Sequence, residues 1–157
     1  MKRLLLIAML CLPTLALAEY QDAVQAYANG RYEEALTEFR RLAAEGDAKS
    51  NYFVGLFYHS GFGVPRDNTE AAKWFLRAAE KNDSQSQYYL GLLSVKGDGM
   101  PKDPVAAHMW YTLSTRSAPN VRDAAYTQKE INKLERKMTP EQIEKAKALA
   151  TNWKPQS

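Results

Sequence analysis

Two kinds of apolar pattern divide the chain. From Leu4 to Leu12 the residues are apolar without a break. Beyond Glu19, apolar residues return at spacings of three and four, the mark of helices that bury one face. The clearest pair lies in the middle. A helix is predicted over about Ala48 to Ser60, with Tyr52, Val54, Gly55 and Tyr58 among its packing positions. A second begins after Asp67 and carries Ala71, Trp74, Phe75 and Ala78 as its buried stripe. Asp67 with Glu70 three residues on reads as a capping box. Between the helices, Gly61-Phe62-Gly63-Val64-Pro65-Arg66 reads as a loop. Glycine there admits positive φ, and proline pushes the residue before it away from helix.

Shifting Ala48–Asp83 by 36 residues lays it on Ser84–Pro119 with ten identities. They are Ser50/Ser86, Tyr52/Tyr88, Gly55/Gly91, Leu56/Leu92, Gly61/Gly97, Gly63/Gly99, Pro65/Pro101, Asp67/Asp103, Ala71/Ala107 and Trp74/Trp110. Unrelated segments of that length would share about two, so the structural unit is duplicated. The second loop is Gly97-Asp98-Gly99-Met100-Pro101-Lys102. Asp103 then caps a helix whose first position is Pro104, where a missing N–H costs nothing. Gly55 and Gly91 lie inside helices, where glycine costs about 1 kcal/mol against alanine. Close approach of a neighbouring helix is the reason expected for them.

The flanks are degenerate copies. Residues 19–47 form a divergent helix pair with a turn signal at Asn29-Gly30, closer to a tetratricopeptide repeat. Residues 48–83 and 84–119 are the two clear units, and 120–157 hold terminal helices. Val121 to Lys137 is a charged helix, and Thr139-Pro140-Glu141-Gln142 is a capping box that opens the last one. There Ile143, Ala146, Leu149, Ala150 and Trp153 form one face expected to seal the end of the stack.

Residues 1–18 read as a secretory signal. Lys2 and Arg3 precede the apolar run, Pro13 and Thr14 break it, and Ala16-Leu17-Ala18 is a small-x-small cleavage pattern. The run is too short for a permanent membrane span, so no membrane insertion is expected after cleavage between Ala18 and Glu19. Leu10 before Cys11 is too large for lipoprotein processing. The mature chain would keep 139 of the 157 residues, enough for one domain with a sizeable core. Loss of Lys2 and Arg3 takes the net charge from +3 to about +1, which argues against nucleic acid as a partner. Cys11, the one cysteine, leaves with the signal. The exported protein would hold together without disulfides and without a thiol nucleophile or thiolate ligand.

The run Val54-Gly55, Tyr58, Gly61-Phe62-Gly63-Val64-Pro65-Arg66-Asp67, Ala71-Ala72-Lys73-Trp74, Ala78-Ala79 resembles the Sel-like repeat (SLR) family. The second copy departs at Ser94, Met100 and Ser114-Thr115. The resemblance spans most of residues 20–153, and most strongly the two central copies. It implies an all-α fold, an α/α solenoid of tetratricopeptide-like helix pairs with a concave groove used for protein contacts. Bacterial relatives are typically exported adaptors, regulators, or inhibitors and immunity partners of secreted effectors. Cysteine-rich relatives described as acting on β-lactams carry a disulfide in each repeat, which this sequence lacks.

Chemistry beyond packing is scarce. His59 and His108 sit on different helices and correspond to Val95 and Ala72 under the offset, so no metal site is expected. Ser60 beside His59 is not a nucleophile–base pair, since adjacent helix residues point to different faces. Asp67 and Asp103 are accounted for as caps, and the loop glycines lack the Lys-Ser/Thr of a phosphate cradle. No cofactor is expected. The first helix of each unit is left to line the groove, with Lys49, Tyr52, Leu56, His59 and Ser60 in one copy. In the next they are Gln85, Tyr88, Leu92, Val95 and Lys96. These positions suit the binding of another protein, because aromatics anchor interfaces. Alternatively, Tyr52 and Tyr88 pack between adjacent first helices. The expectation is a non-catalytic periplasmic or secreted adaptor or regulator, with an immunity or inhibitor protein as the alternative. A β-lactam- or peptidoglycan-acting enzyme is the rival from another class.

Overall fold

The computed structural model describes residues 5–155, with side chains from Leu17 onward. Lys2, Arg3 and Leu4, on which the export expectation partly rests, lie outside the described residues, as do the side chains of 5–16. Among the described residues eight helices follow one another: α1 (Leu5–Ala28), α2 (Tyr32–Ala44), α3 (Ala48–Ser60), α4 (Asn68–Ala79), α5 (Ser84–Lys96), α6 (Pro104–Ser117), α7 (Val121–Glu135) and α8 (Pro140–Asn152). There is no strand among the described residues, and the all-α solenoid expected from the repeat is what forms. No helix among them is long and apolar enough to cross a membrane.

Short polar side chains set the helix starts by occupying backbone N–H groups that have no partner inside the helix. Asp47 accepts from the Ser50 amide at 2.6 Å, and Asp83 from the Ser86 amide at 2.7 Å. Asp103 accepts from Val105 and Ala106, and the Thr139–Gln142 capping box closes in both directions. The box expected at Asp67 forms only halfway. Asp67 accepts from the Glu70 amide, but the Glu70 carboxylate turns forward to Lys73 and the Trp74 indole at 2.9 and 3.0 Å. A carboxylate gains more from an ammonium and an indole N–H together than from one backbone amide.

Helices α1/α2, α3/α4 and α5/α6 pack as pairs, and each pair leans on the next through α2–α3 and α4–α5. At the centre of each pair lies one buried ring of its second helix: Phe39, Phe75 and Tyr111, spaced 36 residues apart. These rings explain the helix glycines, and the neighbouring helix expected to approach there does so through them. A Cβ on Gly55 would come 2.6 Å from Cδ1 of Phe75, and one on Gly91 2.5 Å from Cδ1 of Tyr111. An aromatic ring of the neighbouring helix takes the room that glycine leaves.

The loops stack one unit on the next. Gly63 lies over the start of α2, where a Cβ would meet Tyr32 and Glu33 at 3.1 Å. Gly99 lies over the start of α4, where a Cβ would be 2.2 Å from the Asn68 carbonyl carbon.

At the C-terminal end, α7 and α8 both pack on α6 instead of forming another close pair. Trp153 meets Trp110 edge to face at 4.9 Å, and the Arg116 guanidinium donates to the Ala150 carbonyl at 2.7 Å. The sealing face is narrower than expected. Ala146 and Ala150 are buried, Ile143 and Trp153 are half-buried, and Leu149 remains 42% exposed. Leu149 stands one residue from Ala150, about 100° around the helix, so a contact made close by alanines leaves it outside. The expected stripe on α4 is likewise corrected. Ala71, Phe75 and Ala78 are buried, whereas Trp74 is only half-buried beneath the Arg77 guanidinium, 4.3 Å from the ring centroid.

Candidate functional site

The first helices share one face, and it is built of rings. Tyr20 on α1, Tyr52 on α3 and Tyr88 on α5 each touch the central ring of their own pair, at 6.0, 6.2 and 5.6 Å. Each also touches a ring on the next first helix: Tyr20 meets Phe53 at 6.2 Å, Tyr52 meets Tyr89 at 6.1 Å, and Tyr88 meets Tyr126 at 5.7 Å. Phe53 and Tyr89 are themselves neighbours of Tyr52 and Tyr88, at 5.3 and 5.8 Å. A continuous ladder Tyr20–Phe53–Tyr52–Tyr89–Tyr88–Tyr126 therefore runs across four helices. Edge-to-face and tilted pairs of this kind add stabilisation beyond their buried area.

The ladder ends in a cavity of about 310 Å³ at the N-terminal ends of α5 and α7. Tyr52, Tyr88, Tyr89 and Tyr126 line it, with Asp123 and Gln85 among the polar groups around them. Tyr126 is 57% exposed although it belongs to the ladder. Tyr52 and Tyr88 are held protonated well above the ordinary phenol range. Burial is the main cause for Tyr52 and Tyr88, helped by nearby Tyr89 and Asp83 for Tyr52, and by a hydrogen bond to Tyr126 for Tyr88. Burial, with Glu130 next, does the same to Tyr111. The phenols are therefore neutral hydrogen-bonding groups in a setting that already carries negative charge.

Of the expected groove residues, the cavity brings together Tyr52, Gln85 and Tyr88. Lys49 lines a separate cavity of about 620 Å³ with Tyr20, Glu45 and Asp47. Ser60 and Lys96 are exposed near the helix ends, and Leu56, Leu92 and Val95 are half-buried along them. His59 is drawn into a connection between units: its Nδ1 faces Asn68 Oδ1 at 2.7 Å, and Asn68 donates to Asp98 at 2.6 Å. Arg66 donates to the same carboxylate at 3.0 Å. Because the Asn68 amide nitrogen is committed to Asp98, its oxygen must accept, and His59 carries its proton on Nδ1.

Sequence reasoning missed Tyr20, Tyr89, Asp123 and Tyr126. The offset of 36 ends before α7 and does not place α1, whose loop to α2 is shorter. The one signal available for Tyr126 was an aromatic residue in an otherwise charged helix.

The second histidine, His108, is 2% exposed and meets Glu135 at 2.8 Å through Nε2. Both imidazoles thus have structural partners. Among the described residues no group of three or more His, Cys, Asp or Glu side chains is placed to hold a metal ion.

Residues 48–83 and 84–117 each match the Sel1 repeat family. Among curated proteins none matches the chain. The fold is similar to the crystal structure of a protective antigen present in uropathogenic Escherichia coli strains, described as displaying an SLR fold. The TM-score is 0.77 at 28% identity, over 86% of this chain and 29% of that one. It is also similar to a Sel1 repeat protein from Oxalobacter formigenes, with a TM-score of 0.65 at 27% identity, over 73% of this chain and 45% of that one. The chain thus spans less than half the length of either structure. Sel1 repeats are generally protein-interaction scaffolds and generally not enzymes. The chain thus carries two Sel1 repeats, at residues 48–83 and 84–117, stacked as in the SLR-fold structures it resembles.

Proposed function

We propose that this chain is an exported, non-catalytic scaffold that works in the periplasm and holds a partner protein across the face of its first helices. The observation that carries the reading is the tyrosine ladder. A row of rings on one face, ending in a half-open cavity with Tyr126 57% exposed, offers rigid apolar area with hydroxyls at its edge. Such side chains dominate the energetics of protein interfaces. Export rests on the positive start, the apolar run and the Ala16-Leu17-Ala18 pattern.

The test has two arms. N-terminal sequencing of the protein from its native host should return Glu19 as the first residue, and retention of residues 1–18 would sink the export reading. Affinity capture from periplasmic extract should then compare wild type with Tyr126→Ser, using circular dichroism to confirm the fold. Tyr126 is exposed enough to be removed without opening the core. Loss of a partner that wild type retains supports the reading, and an unchanged partner set overturns this face as the binding surface.

A further inference from the structure

The cavity at the end of the ladder has a more specific chemistry than a general apolar groove. Its lining contains four tyrosines and the Asp123 carboxylate, and no lysine, arginine or histidine. Asp83 acts electrostatically on Tyr52, and Glu130 on Tyr88 and Tyr111, so further negative charge stands around the rings. Each helix start here already carries its own side-chain cap. Asp83 occupies the Ser86 amide at the start of α5, and Asn120 occupies the Asp123 amide at 3.0 Å at the start of α7. Asp123 is held in place by the Asn120 amide nitrogen at 2.9 Å, which leaves its other oxygen without a bond from that side chain.

We propose that this cavity receives an arginine or lysine side chain from a segment of the partner protein, with the cation against the tyrosine rings and paired with Asp123. The proposal rests on the scaffold reading above and adds to it the charge of the bound segment. Tyrosine faces attract cations through the ring quadrupole, and a guanidinium also stacks on them while donating to a carboxylate. The volume of about 310 Å³ is at the small end for a ligand site and suits one long side chain. Phenols held protonated offer oxygen lone pairs to the same cation without a second full charge to desolvate.

The test uses the full exported chain and short acetylated, amidated peptides that differ at one central residue: Arg, Lys, Gln or Glu. Tyrosine ring resonances are followed by NMR during titration. The Arg and Lys peptides should shift the signals of Tyr88 and Tyr126, and the Gln and Glu peptides should not. Asp123→Asn should weaken the Arg peptide about fivefold, with the loss shrinking as salt rises. Tyr126→Ser should weaken it by a similar factor. Equal shifts from the Gln peptide, or none from the Arg peptide, would overturn the proposal. So would tetramethylammonium binding more tightly than the Arg peptide, which would make the cavity a site for free small cations. A partner captured by wild type and lost in Tyr126→Ser, yet indifferent to Asp123→Asn, would leave the scaffold standing and remove this inference alone.

Discussion

Residues 48–83 and 84–119 are two copies of one unit, and the structure uses them differently. Both open their first helix with an aspartate, press a helix glycine onto a ring, and stack a loop glycine on the preceding unit. The tryptophans then part company. Trp74 lies half-exposed under Arg77, while Trp110 is 7% exposed and closed over by Trp153. Phe75 is matched by Tyr111, and His59 by Val95. The first copy has a helix pair packed on each side. The second lies against α7 and α8, and its exposed surfaces are covered by helices that are not repeats. Identical residues therefore have unequal energetic roles, decided by what comes next along the stack.

The largest test of that inequality is the tryptophan pair. Trp110→Ala should lose about 3–5 kcal/mol, as for a truncated core aromatic, and Trp74→Ala about 1 kcal/mol. Denaturant unfolding of both variants checks it, and equal losses would mean that α8 does not make the difference. Next come the loop glycines. Gly99→Ala puts a Cβ against backbone and should destabilise by about 3 kcal/mol. Gly63→Ala, with its nearest neighbours at 3.1 Å, should lose about half as much, measured the same way.

A smaller effect belongs to the tyrosines. Their pKa values are raised in the folded state, so folding favours the protonated phenol. That stability is present in full below the ordinary value of 10.0 and is lost as pH rises above it. Melting temperature should fall above pH 10, and a Tyr88→Phe/Tyr111→Phe variant of the second copy should fall less than wild type. Tyr52→Phe in the first copy should relieve the fall less than the double change does.

The smallest effect concerns the link between the copies. Hydrogen bonding from Asn68, and then the charge of Arg66, hold the Asp98 carboxyl below its usual range. That contribution is present above the ordinary aspartate value and is lost as pH falls from there through the lowered folded-state value. Asp98→Asn should therefore flatten the acid side of the stability profile slightly, read by thermal melts between pH 5 and 2.

Much of this was legible beforehand because it depends on short spacings. The caps at Asp67 and Asp103 and the box at Thr139 need only the residues of one helical turn. The ladder was legible in part. Tyr52 and Tyr88 were singled out from the repeat, with core packing and partner binding both open. The structure places each between rings and at the same time on the wall of a cavity. Tyr126 and Asp123 were hidden because α7 lies outside the period, and no local signal says which turn of a charged helix will face α5.

By itself the sequence determined the helices, their duplication and the positions where only glycine fits. Those features follow from backbone sterics and hydrogen-bonding needs that each residue carries with it. Only the tertiary structure decided that Phe75 and Tyr111 are the reason for Gly55 and Gly91, that Leu149 stays outside, and that Trp110 is sealed while Trp74 is not. It alone brought Asp123 to the tyrosines. These outcomes depend on which helix lies across from which, a choice made by the total fit of many side chains over distances far longer than one turn.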